Sequence, residues 1–546
     1  MTTRLVQPPT RPGYPVAGRL HRAAVVAAFL AATASSSALG QGPKIVPPRP
    51  CEAPPGGIAT LTVSDRSARD RRVRVAVVRF EESVTDDARL HLTWAVGEHV
   101  AEALRGAPGL TVESPGTVAR AWMESGAQVE NVARSLDADF VVMGRSAMRG
   151  DQAEITVALW HAAAKTTRWD RTFVYPALSL RAIEDSVVAN LVSFLGVRTD
   201  VKRDTPEMSA VAYEAIARGD YFMHRPGTAA ADSARAAYAR AASADTRSAV
   251  AKARLARSYA AVLGRSGRVG PLGPERAVET GLALVDSALR IDPSLAEAWT
   301  ARAVLMRFQD PREFSGALDA HEKAVSLAPN DADAQHAFGE TLLLLGSEAR
   351  ALDRFRRALA IDPSRAATLR SYSELEMLGR RYASSCALIN ASLAANEYDP
   401  LSYALRSQVR LRLGEFRDAF ADAEIASRLA GERWGEALSV LVLAGGGDSE
   451  RAKREAKRLA TARLRGNAPL GVREARYLGA ALVMTGDKDR AIAALAKARP
   501  NGAELRAALR DPMLDPIRTD PRFRRLVTGG GQARGIQDGV SRTPGR

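Results

Sequence analysis

Seven histidines and two cysteines are the residues best able to do chemistry in this chain of 546 residues. Zinc on a helix needs two imidazoles one turn apart with a further ligand beside them. His91 and His99 share one predicted helix but stand eight residues apart, so they read as part of an amphipathic helix. His321 and His336 fall on helices of successive segments and His161 ends a strand, and none has a ligand set in its neighbourhood. Cys51 lies in a Pro-rich stretch and Cys386 in a helical one. Two cysteines exclude a disulfide framework and a cysteine-based zinc cluster. Their contexts argue against a bond between them, and Cys386 reads as a small buried thiol. No Gly-x-Ser-x-Gly elbow occurs, and neither cysteine has a nucleophile's surroundings. "GRSGRVGPLGPE" (264–275) is Gly-rich, but no Lys-Ser/Thr follows and no strand precedes it, so it reads as a lengthened turn. "GGGD" (445–448) reads as another turn. No catalytic, metal or cofactor constellation emerges, and no enzymatic activity is expected.

The remaining chemistry is charge. Lys and Arg number 77 against 62 Asp and Glu, a formal net charge of +15, and only nine of the 77 are Lys. Such an excess attracts anionic surfaces. No recognition motif accompanies it, so specific nucleic-acid binding is not expected. "RAKREAKRLATARLR" (451–465) holds seven basic residues and one acidic, and on a helix Arg451, Arg454 and Arg458 share a face. It reads first as a solvated helix and second as a peripheral contact for anionic membrane lipid or for nucleic acid.

These groups must be positioned by segments of different kinds. The length implies two or more units. Hydrophobic content of 46% supports real cores, and aromatics at 5% point to closely packed helices with small contact residues. "GRLHRAAVVAAFLAATASSSALGQ" has Arg19 and Arg22, an apolar run from Ala23 to Ala34, then small residues ending at Gly40. That is the layout of a secretory signal over residues 1–40, cleaved after Gly40; a membrane anchor formed by residues 23–40 is the alternative. Residues 41–71 are rich in Pro, Gly, Arg and Ser and read as a linker.

Over residues 72–200 strands and helices alternate. "RVRVAVVRF" is a β-branched run of strand length, and "DDARLHLTWAVGEHVAEALRGAPG" an amphipathic helix stopped by Gly and Pro. "GLTVES" is a short strand, followed by two short helices in "PGTVARAWMES" and "VENVARSLDA". "DFVVMGRSAM", "AEITVALWHAA" and "TTRWDRTFVY" are strands, the first two joined by the hairpin signal "RGDQ". "LSLRAIEDSVVANLVSFLG" closes a small α/β unit with a mixed sheet.

From residue 206 to 500 the chain is helical and repetitive. In "FGETLLLLGSEARALDRFRRALAIDP" (338–363), Phe338, Gly339 and Leu342 precede Ala351, Phe355, Ala358 and Pro363. Small residues at Gly339, Ala351 and Ala358 let two helices approach, large apolar ones fill between them, and Pro363 ends the second helix. Ala288, Pro293 and Trp299, then Ala317, Ala324 and Pro329, then Leu478, Gly479, Leu482, Gly486, Ala491, Leu495 and Ala498 keep the same frame. Weaker copies at 210–246, 249–293, 366–397, 401–430 and 433–462 bring the total to about eight. The pattern resembles the 34-residue tetratricopeptide repeat, which implies a mainly α fold, a right-handed superhelix with a concave groove. In that family the groove is lined from the first helix of each repeat. Carried onto this sequence, the lining residues are Arg218, Tyr221 and Phe222; Arg257; Glu297, Arg307 and Phe308; Asp333, His336 and Glu340; and Arg473 and Arg476. Arg among aromatics suits an acidic peptide or extended segment. The clamp that some relatives use for a C-terminal carboxylate is not met, since Ala253 and Arg257 stand where it needs Lys and Asn.

"VRVAVVRFEES", "EALRGAPGLTVES" and "VENVARSLDADFVVMGRSAMRGDQAEITVALWHAAAKTTRWDRTF" resemble the TolB-amino-terminal-like domain that precedes tetratricopeptide arrays in many bacterial regulators. The departures are Arg79 before Phe80, where the family has Pro, and "TWAVGEH" in place of an acidic-glycine pair. "LRAALRDPMLDPIRTDPRFRRLV" resembles the capping helices of such arrays, placing caps at 501–527 and a disordered, Gly-rich tail at 528–546. The expected function is an exported, periplasmic or secreted, non-enzymatic scaffold that binds a protein or peptide in its groove. The alternative is a signalling accessory whose α/β domain senses a ligand or partner and relays it through the repeats. No cofactor is expected.

Overall fold

A β-branched run buries both its faces when helices cover the sheet, and the first strand does so at Val75, Ala76 and Val77. The computed structural model describes residues 50–51 and most of 72–528. Left outside the description are residues 1–49, 52–71, 79, 83–89, 106, 108, 114–116, 119–120, 123–124, 150–151, 177–178, 198–207, 226, 267–268, 310–313, 431–432, 447–448, 466–468, 499–501 and 529–546. The leader, nearly all of the linker and the Gly-rich tail therefore lie outside the described residues.

The sheet comprises β1 (Val73–Val77), β2 (Glu81–Glu82), β3 (Leu110–Val112), β4 (Phe140–Arg149), β5 (Gln152–His161) and β6 (Thr166–Pro176). Its order is β3-β1-β4-β5-β6, with β2 beside β4. β1 is parallel to β3 and β4, whereas β4, β5 and β6 form an antiparallel meander. Helices α1 (Leu90–Arg105) and α3 (Leu180–Leu195) pack on the sheet through Val96, Val100, Leu104, Ile183, Val187 and Leu191, which meet Val75, Val142, Ile155 and Leu159 in one core. Between them in sequence lies α2 (Val129–Leu136), which buries Val132, Ala133 and Leu136. Gly144 is required where β4 passes Phe80, because a Cβ there would lie 2.2 Å from the Phe80 ring.

Eight helical hairpins follow. They pair α4 (Ala210–Met223) with α5 (Thr228–Ala244), α6 (Ala249–Ser266) with α7 (Pro274–Ile291), α8 (Ala296–Met306) with α9 (Phe314–Leu327), and α10 (Ala332–Leu344) with α11 (Glu348–Ile361). The later four pair α12 (Ala366–Leu378) with α13 (Tyr382–Ala395), α14 (Pro400–Leu413) with α15 (Phe416–Ala430), α16 (Trp434–Gly445) with α17 (Ser449–Arg465), and α18 (Val472–Met484) with α19 (Lys488–Ala496). The fold is thus mainly α, a small α/β domain followed by a tetratricopeptide-type array. The frame read from sequence packs as expected: Phe338, Ala351, Phe355 and Ala358 are fully buried. Gly339 lets α10 and α11 touch, since a Cβ there would stand 2.5 Å from the Phe355 ring. Helices α7 and α11 both end in Ile-Asp-Pro-Ser, where Asp292 and Asp362 accept hydrogen bonds from the backbone N–H of Ser294 (2.9 Å) and Ser364 (3.2 Å). The Gly-rich stretch at 264–275 takes in the last residues of α6 and the first of α7, and its described middle, 269–273, lies between the two helices.

The array starts on the α/β domain. α4 packs against α1 and α3, with Trp94 set 6.1 Å from the Tyr221 ring and 5.0 Å from His224. At the other end, α20 (Gly502–Ala508), a 3-10 turn (Pro512–Ile517) and α21 (Pro521–Thr528) bury Leu509, Leu514, Ile517 and Phe523.

One expectation is corrected. Cys51 and Cys386 form a disulfide, with Cα atoms 5.9 Å apart. The linker returns to the array at this point, and Cys51 joins a buried cluster with Met377, Ile389, Leu405 and Val409. The Asn390 side chain secures the return, accepting from the Cys51 N–H (3.4 Å) and donating to its carbonyl (3.1 Å).

Candidate functional site

In the early hairpins charged side chains of one first helix meet those of other first helices, so charges from different repeats pair. In the first four hairpins they form a ladder. Arg254 on α6 joins Asp220 of α4 to Glu297 of α8, the latter at 3.0 Å. Arg257 faces Asp333 of α10 at 3.4 Å, and Asp333 also meets Arg365. Arg307, just past α8, reaches Glu340 of α10 at 3.3 Å. Glu340 accepts a 3.1 Å hydrogen bond from Ser371 and lies 3.6 Å from His336. The side chains of Asp220, Arg254, Glu297, Arg257, Asp333, Arg307 and Glu340 are between 14% and 38% exposed, so water reaches the ladder along most of its length.

Burial alone would raise the Glu340 pKa, but His336, Arg307, Arg370 and the Ser371 hydroxyl outweigh it and hold the carboxyl at about 2. Burial lowers His336 to about 4, helped by Arg370, Arg257 and Arg307 and opposed by Glu340. At neutral pH the imidazole is therefore uncharged, and the two guanidinium groups hold the Glu340 anion.

Other residues expected in the groove have different surroundings. Arg218 lies over the Phe222 ring at 5.8 Å. Phe222 packs near Tyr238 and Leu255, and Tyr221 is buried against Trp94 of the α/β domain. Phe308 packs beside Tyr259 and Leu282. Arg473 sits over the Trp434 ring at 5.6 Å. Arg476 is buried, 3.3 Å from both Glu374 of α12 and the Tyr477 hydroxyl.

Arg476 marks a change in the array. Glu374 and Gln408, on α12 and α14, both touch α18, the latter through Tyr477 at 3.3 Å. α14 is buried from Ser402 to Leu411 and α18 from Glu474 to Val483. A polar lattice fills the interior. Asp422 receives Arg406 at 2.7 Å and Arg410 at 2.6 Å, all three buried. The segment after the last hairpin completes the closure. Arg412 meets the buried Asp511 at 2.7 Å, Arg380 pairs with Asp515, and Arg510 donates to the Leu343 carbonyl at the end of α10. Sequence reasoning missed Arg254, Asp220, Arg365 and this lattice. The available signal was a basic residue on one first helix with carboxylates at matching heights on its neighbours.

Among the described residues no group of His, Cys, Asp and Glu could hold a metal ion. No described helix is long and apolar enough to cross a membrane.

No family model matches the sequence, and no curated protein matches it. Several solved structures share its helical architecture. PilF of Pseudomonas aeruginosa is 19% identical over 39% of this chain and 95% of its own, with a TM-score of 0.31. PilW, a type IV pilus biogenesis factor, is 18% identical over 40% and 95%, with a TM-score of 0.34. Yeast Tom70 is 14% identical over 81% and 85%, with a TM-score of 0.36. The fold assignment stands on the packing described above.

Proposed function

We propose that the chain is an exported, non-enzymatic scaffold that holds a partner protein or extended peptide along the open ladder of its first four hairpins. The observation that carries this is the contrast in access: Asp220, Arg254, Glu297, Arg257, Asp333, Arg307 and Glu340 are within reach of water, while α14 and α18 are buried along most of their length. Because every one of these Arg residues already has a carboxylate partner, an acidic ligand exchanges with Asp220, Glu297, Asp333 or Glu340. Each exchange is nearly balanced, so affinity comes from several contacts in register, and binding weakens with salt. Purified protein carrying Arg254→Glu with Arg307→Glu should keep its fold and lose the partner; retention of the partner at wild-type affinity would remove the groove from the account.

Export is supported by two independent features, the leader-like residues 1–40 and the Cys51–Cys386 bond, since such bonds persist in oxidising compartments. The reading places the protein in the periplasm or outside the cell, with an anchor at residues 23–40 as the variant form. Intact-mass analysis of C-terminally tagged protein should find a chain beginning near Gln41, two hydrogens lighter than its reduced form. A full-length, reduced chain in the cytosol would contradict it.

A second reading has one observation in its favour. We read the α/β unit as TolB-amino-terminal-like, and its α1 and α3 pack directly on α4. His91 Nε2 lies 3.4 Å from Glu214 at this junction, and the Tyr213 hydroxyl donates to Glu184. A ligand that moved α1 would move the first hairpin with it. A thermal-shift screen with small molecules and envelope components should then raise the melting of the α/β domain, and a flat screen counts against the relay.

A further inference from the structure

The groove cations are matched by carboxylates, whereas one outer surface carries several cations that are not. Helices α17, α19 and α21 pack side by side in that order. Together they hold twelve basic and three acidic residues, in a chain whose whole net charge is +15. α17 turns Ala452, Ala456, Leu459 and Ala460 inward. That orientation exposes Arg451, Lys453, Arg454, Lys457, Arg458 and Arg465 along about 25 Å of helix. On α21 the buried Phe523 fixes the rotation, leaving Arg522, Arg524 and Arg525 outside. Lys453 is paired with Glu450, Arg458 with Glu455 and Glu436, Arg463 with Glu436 and Glu474, Arg490 with Asp487, and Arg522 with Asp489 and Asp520. Arg454, Lys457, Arg465 and Lys488 have no carboxylate within ion-pair distance among the described residues. The outer helix α7 differs, with Glu275, Glu279 and Asp286 against Arg276 and Arg290.

We propose that the outer face formed by α17, α19 and α21 binds the anionic headgroups of a lipid surface. Several cations within one screening length of each other act as a single field, whereas an isolated surface charge is largely screened. The face is basic and has no aromatic row on which bases would stack, which separates it from a single-strand nucleic-acid groove. The choice of lipid over nucleic acid rests on the export reading; the mature N-terminus tests that reading separately. Bound in this way, the protein lies on the membrane by its later hairpins and keeps its open groove free.

The test uses the full chain and vesicles of neutral phosphatidylcholine with or without about 30% phosphatidylglycerol, at about 0.05 M and 0.3 M salt. Co-sedimentation should appear only with the anionic vesicles and fall with salt. A Lys or Arg at such a surface contributes about fivefold to partitioning. Arg454→Glu with Lys457→Glu and Arg465→Glu should therefore lower it at least tenfold, while Arg276→Glu with Arg290→Glu on α7 should leave it within about twofold. The Gln versions of the same three changes, which add no like charge, should give a smaller loss in the same direction. Three results would overturn the proposal: no binding of wild-type protein to anionic vesicles, equal losses in the α17 and α7 variants, or capture of a single-stranded oligonucleotide by protein that ignores the vesicles.

Discussion

The early and late hairpins use the same chemical parts, guanidinium and carboxylate, to opposite ends: the early pairs join successive first helices, and the late ones join the two helices of one hairpin. Around α4 to α10 the pairs stand in water's reach, as with Arg257 and Asp333 at 31% and 38% exposure. Around α14 to α18 they are sealed, as with Arg410 and Asp422, both at 0%. An exposed pair contributes little to stability and is easily exchanged for a ligand's charge. A buried pair costs much to break, because the survivor is left charged in a poor dielectric. Solvent access, more than residue type, therefore separates the part of the array suited to binding from the part that locks the chain.

The sharpest test of that contrast is Asp422→Ala, which strands Arg406 and Arg410 in the interior. It should lower the unfolding free energy by about 3–5 kcal/mol, read from a urea midpoint. A loss under about 1 kcal/mol would mean that the lattice is open to water.

Acid should act next. Burial lowers His321 to about 3, with Arg307 and Arg354 adding to it, and holds His336 at about 4. Both are above 6 when unfolded. Between those values the unfolded chain binds more protons, so stability is complete above about pH 6.5 and falls as pH drops, by about 1.4 kcal/mol per unit for each histidine. Glu340 acts further down: its depressed pKa gives stability that is present above about 4.5 and lost toward pH 2. His321→Gln should flatten the profile between pH 6.5 and 4; an unchanged slope would assign the loss to other groups.

Gly339→Ala should cost about 1–3 kcal/mol by pressing into Phe355, with Phe355→Leu restoring part of it. The smallest effect belongs to the open ladder. Arg257→Ala should change stability by less than about 1 kcal/mol while weakening partner binding, and a larger destabilisation would make the ladder structural.

Much of the fold was legible because it depends on local spacing. Gly339 and Phe355 announce a close helix crossing, Asp-Pro marks the ends of the second and fourth hairpins, and the run from Val73 to Val77 reads as a buried strand. What depends on distant partners was not legible. Cys51 meets a residue 335 positions away through a linker whose composition says only that it cannot form a core. Arg406 and Arg410 look like surface residues of a helix, and nothing in their own helix announces that Asp422 of α15 takes both into the interior. Arg473 and Arg476 were expected on the groove face of a later repeat, and spacing alone did not show that Arg473 lies over Trp434 or that Arg476 is buried against Glu374.

Site-specific photocrosslinking addresses the central claim most directly. A photoreactive residue at Arg257 or Arg307 samples the open ladder, and one at Gln408 or Arg476 samples the sealed interior. In cells producing the disulfide-bonded protein, the account predicts partner adducts from the first pair and only intramolecular adducts from the second. Partner adducts from Gln408 or Arg476, with none from Arg257 or Arg307, would contradict it.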